Sequence, residues 1–326
     1  MAELPDPVDY AVPGFILLIL AEMLVARARD RRRYCPRDTF TSLMLGFGST
    51  VAGALSAGLV YSLAVAVHGL ALFDIGFAWW AWILCFVLDD LAYYLFHRSA
   101  HRVRWFWASH VIHHSSQHYN LSTALRQTWT GFISLAFIFR LPLFLIGFPP
   151  EMVFFCAGLN LIYQFWIHTE MVGRMPRWFE AVMNTPSHHR VHHATNAAYL
   201  DRNYAGVFII WDRMFGTFTA ERDDLPPRYG LVKNLGRFNL IWAAFHEWVG
   251  IARDVARAPG WRARLLYAFG PPGWSHDGSR DTSETIREKE QRRVAWKSMT
   301  SSSSAADRAA APSPAGWRPG GDTGSA

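Results

Sequence analysis

Eight histidines stand in three short groups whose spacing suits metal binding. His97 and His101 form an H-x-x-x-H pair, and His110, His113 and His114 form H-x-x-H-H. His189, His192 and His193 repeat that second pattern much further along. On a helix, positions i, i+3 and i+4 share one face, so each group is expected to aim its imidazoles at one place. Imidazole suits iron, copper, zinc and nickel. One tetrahedral ion takes four ligands, so eight donors can hold two metals and leave coordination positions open. With 14 His in 326 residues, two H-x-x-H-H copies arise by chance in about one sequence in a thousand or fewer.

Neighbouring residues could serve these groups. His168, closing the run Gln164 to His168, reads either as a further ligand or as a donor that orients one. Asp90 lies two helical turns before His97 and shares its face. A carboxylate there either orients a ligand imidazole or is an interfacial helix residue. Pro186 breaks the chain before the last group, and Ser187 is expected to cap a short helix through His193. His118 and His188 fall out of register and read as polar neighbours, while His68 and His276 read as solvated.

Five apolar runs must position these residues, at about 12–25, 42–67, 77–96, 131–148 and 152–167. Each has roughly the length of a membrane helix. The last two, joined by Phe148, Pro149, Pro150 and Glu151, form either two spans or one hairpin dipping into the bilayer. Hydrophobic residues make up 51% and charged residues 18%, against about 25% charged in soluble domains. Mean hydropathy is only +0.05, so the apolar character is confined to segments. The 15 Trp suit a protein with two lipid–water interfaces. Positive charge follows the first apolar run, which therefore reads as a membrane helix and not a signal peptide. The expected fold is an all-α integral membrane protein of four to five membrane helices, with a cytoplasmic helical cap holding a histidine-rich di-metal site.

The net charge of +6 could suit nucleic acid, but the arginines flank apolar runs. They read as topology signals and anionic-lipid contacts, so no nucleic-acid partner is expected. Residues 68–74 and the turn at Pro149 carry no Lys or Arg, whereas 27–33 and 98–126 are rich in Arg. The positive-inside rule then puts the N-terminus outside and the histidines in the cytoplasm. Cys35, Cys85 and Cys156 form no CxxC pair, which excludes a thiolate metal site and a disulfide framework. Four parts are expected: 1–40, a membrane helix and basic loop; 41–250, the membrane and histidine-box domain; 251–276, an interfacial or cytoplasmic extension; and 277–326, a disordered tail. Residues 240–256 read as an amphipathic interfacial helix.

The strings YLFHRSAH (94–101), HHSSQHYNLSTALRQ (113–127), NTPSHHRVHH (184–193), NYAG (203–206) and WDRMFGT (211–217) carry a likeness. The stretch from Asp90 to Phe218 resembles the fatty acid hydroxylase superfamily, which includes the sterol desaturases. Its alkylglycerol monooxygenase-like branch is the nearest. The resemblance implies a helical membrane fold, a cytoplasmic centre of two iron ions (which zinc can replace in purified protein), and ligand roles for His97, His101, His110, His113, His114, His189, His192 and His193. That branch has a glutamate directly after the second His of the first pair, where this chain has Arg102. It also has a C-terminal membrane region that this sequence does not contain. The expected activity is therefore O2-dependent oxidation of a lipid C–H bond, by hydroxylation or desaturation. Ether-lipid cleavage, and with it tetrahydrobiopterin, stands as the alternative.

The substrate is expected to be a sterol, fatty acyl or ether lipid reached from the bilayer. Electrons must come from a separate redox partner, since the sequence holds no G-x-G-x-x-G fingerprint and no cysteine set for an iron–sulfur cluster. Rival readings explain less. A zinc hydrolase of the H-E-x-x-H type fails because His246-Glu247 is followed by Gly250. A metal transporter would string its histidines along a path across the membrane. A haem protein would use one or two of the eight. A non-catalytic metal-binding membrane protein is the remaining alternative.

Overall fold

The computed structural model describes residues 4–29 and 33–310. Arg31 and Arg32 of the basic cluster, and residues 311–326 of the tail, lie outside the described residues. The chain is all-helical. Three long helices come first: α1 (Pro7–Ala28), α2 (Pro36–His68) and α3 (Trp79–Arg102). There follow α4 (Arg104–His114) and α5 (Leu121–Ala124), then a 3-10 turn (Ala136–Arg140) that runs into α6 (Leu141–Ile146). The remainder comprises α7 (Pro150–Trp166), α8 (Arg177–Val182), α9 (Pro186–His192), α10 (Ile210–Met214), α11 (Leu240–Arg257), α12 (Trp261–Phe269) and α13 (Ser283–Ala310). Among the described residues there is no strand, only isolated bridges such as Met183 to Phe208.

Among the described residues, α1, α2 and α3 alone are long and apolar enough to cross a membrane. Their outer faces leave apolar side chains uncovered, Leu17 at 67% and Leu55 at 85% exposure, as lipid contact requires. The fourth apolar run does not form a continuous helix. Leu135 takes a left-handed conformation, the chain tightens into the 3-10 turn, and Pro142 in the first turn of α6 removes an amide donor. With α7, at 17 residues about 25 Å long, α6 makes a hairpin. Its tip meets the α2–α3 turn, where Leu72 N donates to Leu145 O at 2.8 Å. Gly147, at φ +122°, comes so close to the Phe73 carbonyl that a Cβ would lie 1.9 Å from its oxygen. Only glycine fits there.

Helix α3 runs through the middle. Ala81, Cys85 and Ala92 pack with Leu143 and Phe144 of α6 and with Met152, Val153 and Cys156 of α7. Four buried polar ties then fix the helices in register. Asp89, fully buried on α3, accepts from Arg140 Nε at 2.6 Å. Glu22 on α1 accepts from Leu121 N at 2.8 Å, from Tyr34 and from Thr169, joining the first helix to the chain around α5 and after α7. Arg126 bonds Asp38 at 2.5 Å and also reaches Ser42 and Ser115. Arg104 binds Glu247 and Asp254 at 2.6 and 2.7 Å, docking α4 on α11. Ala243, Ala244 and Ile251 cover α4 from α11, so the apolar face expected to meet lipid is partly spent on packing.

The chain divides into two compact units, 1–283 and 284–326. The expected parts 1–40, 41–250 and 251–276 all fall in the first. Residues 283–310, expected as part of a disordered tail, are helical. Within that helix Arg292 pairs with Glu288 at 3.9 Å and Arg293 with Glu290 at 2.7 Å. Such i,i+4 and i,i+3 pairs support a helix whose described apolar side chains Val294 and Trp296 are exposed.

Because Asp89 is sealed in an apolar layer, losing its partner should cost more than losing the pair. Arg140→Leu is expected to destabilise the protein by about 3–5 kcal/mol, and Asp89→Leu/Arg140→Leu to recover most of that. Thermal unfolding of both variants in detergent or nanodiscs checks this; equal losses in the two would refute it.

Candidate metal centre

Four elements converge at one end of α3. That helix supplies His97 and His101 one turn apart, α4 supplies His110, His113 and His114, and α9 with its C-cap supplies His189, His192 and His193. His168 follows the end of α7. The nine rings sort into two groups, His97, His101, His110, His114 and His192 in one and His113, His168, His189 and His193 in the other. Within each group, one ring nitrogen per residue lies within 4.8 Å of all the others.

The sorting corrects one expectation. Each H-x-x-H-H box does not aim at one place. His110 and His114, at i and i+4, turn to the first group and His113 to the second. The later box does the reverse, sending His189 and His193 to the second group and His192 to the first. Adjacent helical residues stand 100° apart, so a helix lying between two points serves both. The two groups touch where His114 and His193 stack at 4.3 Å between ring centroids. His168 belongs fully to the second group, its Nε2 3.1 Å from that of His113 and 3.0 Å from that of His189.

Backbone carbonyls set the tautomers. Nδ1 of His97 meets Tyr204 O at 2.7 Å, His192 meets Arg202 O at 3.0 Å, His113 meets Arg126 O at 3.2 Å and His168 meets Gln164 O at 2.7 Å. A carbonyl only accepts, so each of these Nδ1 atoms carries the proton and each Nε2 presents a lone pair. His113 and His168 thus direct two lone pairs at each other across 3.1 Å. Nε2 of His101 and of His192 is buried with no hydrogen-bond partner. Facing lone pairs and orphaned acceptors in a dry site call for a cation between them. Nitrogens bound to one ion at about 2.0–2.1 Å stand roughly 2.8–3.4 Å apart, from octahedral to tetrahedral geometry. The observed contacts of 2.9 Å (His97 to His110), 3.1 Å (His110 to His114) and 3.2 Å (His189 to His193) match such edges. The residues fit a pair of metal ions. Burial also lowers the affinity of the His113 ring for protons, down to about 4.

The remaining sequence-derived residues lie elsewhere. Asp90 is fully buried, but its carboxylate accepts from Val207 N, Phe208 N, Trp211 Nε1 and Asn160 Nδ2, not from an imidazole. Ser187 does not cap α9, whose N-cap is Thr185; its hydroxyl donates to Glu180 instead. His188 lies outside both groups, 3.8 Å from Glu180. Arg102 is exposed, so this departure from the expected glutamate lies outside the cluster. Reading the sequence missed Asp201, whose carboxylate stands 3.8 Å from His101 Nδ1, and Asp212, which ties the loop before it. The NYAG and WDRMFGT strings flagged that region but not its geometry.

Comparison with known proteins follows the same residues. The fatty acid hydroxylase family model matches 82–217. Alkylglycerol monooxygenase of Danio rerio is 41% identical over 278 residues, 79% of this chain and 60% of that protein. Alkylglycerol monooxygenase of Homo sapiens is 38% identical over 309 residues, 92% of this chain and 67% of that protein. An ornithine lipid hydroxylase of Rhizobium tropici is 24% identical over 209 residues, 64% of this chain and 56% of that protein. This chain therefore spans about 60% of the length of the first of these relatives. No solved structure matches. Since one relative at 38% identity runs alongside nearly the whole chain and the family model covers the histidine-bearing stretch, the chain belongs to the fatty acid hydroxylase family.

Proposed function

We propose that the protein is a membrane-embedded lipid monooxygenase working through two iron ions. One ion is held by His97, His101, His110, His114 and His192, the other by His113, His168, His189 and His193. The observation that carries this reading is the convergence of nine imidazoles, eight of them buried and that of His110 half-buried, several tautomerically locked, on two adjacent points. Bound iron supplies the activation of O2 that no side chain provides, with a substrate C–H bond becoming C–OH and the second oxygen leaving as water. The protein's own residues hold the rings neutral and keep bulk water out. Two electrons and two protons balance the reaction, and we assign the electrons to a separate donor. In this reading the histidines face the cytoplasm, beside the Arg-rich stretches, and the substrate enters from the bilayer.

For the substrate class we draw on the relatives' names. Two carry the name alkylglycerol monooxygenase, at 38% and 41% identity, and this supports our choice of ether-linked glycerolipids ahead of sterols and free fatty acyl chains. It also favours hydroxylation over desaturation. The exposed position of Arg102 weakens one of the two sequence-based arguments against ether lipids.

The decisive comparison is lipid mass spectrometry of a host expressing the wild type or His192→Ala under 18O2, with an alkylglycerol supplied. A product carrying one heavy oxygen only with the wild type is expected. A product lacking two hydrogens and unlabelled would make the enzyme a desaturase, and identical profiles with a reconstituted electron donor would refute the reading. Metal analysis is expected to give two ions per chain, and His113→Ala to reduce that number. Stripping the metal exposes the pH dependence of the rings. His113 binds its proton at about 4 in the fold and near 6.5 when unfolded. Stability of the stripped protein should therefore be full above about 6.5 and fall as pH drops toward 4. A melting temperature unchanged across that window would contradict this account of the buried rings.

A further inference from the structure

The two histidine groups are held by different means. In the second, the carbonyls that take Nδ1 of His113 and His168 belong to Arg126 and Gln164. Gln164 sits in the last turn of α7, and Arg126 follows α5, anchored on Asp38. In the first group, every recorded Nδ1 partner comes from one short loop. Tyr204 O takes His97 at 2.7 Å, Arg202 O takes His192 at 3.0 Å, and the Asp201 carboxylate lies 3.8 Å from His101 Nδ1. Two carbonyls, at 202 and 204, thus orient rings from two different helices, and a carboxylate from the same four residues faces a third ring.

A loop can do this only if it is itself fixed, and it departs from ordinary backbone. Asp201 and Asn203 both have φ near +55°, the left-handed region that Asp and Asn tolerate better than other side-chain-bearing residues. The fixing group is the carboxylate of Asp212, 0% exposed at the start of α10. Its Oδ1 accepts from Tyr204 N and its Oδ2 from Ala205 N, each at 2.8 Å, and Thr217 Oγ1 adds a third donor at 2.6 Å. Asn203 staples the other end, donating to His188 O and Thr219 O and accepting from Thr219 N. Beyond the loop, Asp90 takes Val207 N and Phe208 N, and Gly206 passes so close that a Cβ would stand 2.8 Å from Asp90 Oδ1.

We infer that Asp212 is a positioning residue for one metal only: through the 201–205 loop it sets the ring orientations of His97, His101 and His192, and the four-histidine position does not depend on it. The inference rests on the two-metal reading above. Its physical basis is that an imidazole whose Nδ1–H loses its acceptor can rotate or change tautomer, and orienting partners of this kind are worth ~10–100-fold in metal affinity. Asp212→Ala withdraws the acceptor from both loop amides. Asp201→Asn is the gentler companion, since Asn keeps the left-handed backbone and removes only the charge near His101.

The test is a cobalt(II) titration of chelator-stripped, full-length protein in nanodiscs, followed by d–d absorption and metal analysis, with a thermal melt of each variant. The wild type is expected to take up two ions of similar affinity. In Asp212→Ala one ion should bind ~10–100-fold more weakly while the other keeps its wild-type affinity, and Asp201→Asn should weaken that same ion by less. Two unchanged ions, or both weakened together with a lowered melting temperature, would overturn the proposal in favour of no role or a purely structural one. Metal-free protein gives a second reading, through residue-resolved modification of histidines by diethyl pyrocarbonate. His97 and His192 should react several-fold faster in Asp212→Ala while His113 and His168 keep their wild-type rates. Uniform acceleration, or none, would overturn it. If the wild type takes up fewer than two ions, the two-metal reading fails by itself and the labelling pattern still decides the role of the loop.

Discussion

Nitrogen lone pairs repel one another, and nine imidazoles gathered around two points, eight of them buried, can be tolerated only if something positive is to sit between them. Much of the architecture serves to hold that arrangement. Protons are kept on the outward Nδ1 atoms by carbonyls, which leaves the Nε2 atoms of His97, His113, His168 and His192 as acceptors facing inward. At His113 burial makes the charged form costly, so that ring stays neutral and available to a cation. An apolar replacement of any one ring would relieve the crowding, but it would also remove a donor from a set that has no spare chemistry nearby.

The constraint spreads outward through polar ties that would otherwise be expensive in an apolar helix bundle. Glu22, on the first membrane helix, collects Leu121 N, Tyr34 and Thr169, the last adjoining His168. Arg126 offers its carbonyl to His113 while its guanidinium is saturated by Asp38, Ser42 and Ser115. Asp90 and Asp212 grip the 201–208 segment from two sides. In each case a buried charge is compensated by several donors or by an opposite charge, the condition under which such groups persist away from water. Rigid elements thus extend from the membrane helices to the ring nitrogens, as a site that must keep its geometry through catalysis requires.

Much of this was legible in the sequence. The spacing of His97 with His101, and of the two H-x-x-H-H boxes, pointed to a two-metal site before any geometry was known, because i, i+3 and i+4 positions have fixed angular relations on a helix. The first three apolar runs gave the three long helices, since length and hydropathy alone decide whether a helix can cross a bilayer. The run 131–148 was ambiguous for a physical reason: its composition suits a span, but Pro142 and the pull of Asp89 on Arg140 break it into short pieces. The helix at 283–310 was hidden because its described part leaves Val294 and Trp296 exposed and is supported by charge pairs.

The sequence by itself determined the donor chemistry, the number of rings the boxes supply and the membrane character, all of which are properties of residue type and local spacing. Only the tertiary structure decided which ring serves which group, why each box is divided between the two, and that His168 completes the second. It alone showed that Asp90 meets backbone amides instead of an imidazole, and that Asp201, Tyr204 and Asp212 act together behind the first group. Those assignments depend on contacts between residues 107 and 117 positions apart, His97 to Tyr204 and Asp90 to Val207. Local periodicity fixes the face on which a side chain stands; which partner meets that face is set by how the helices pack.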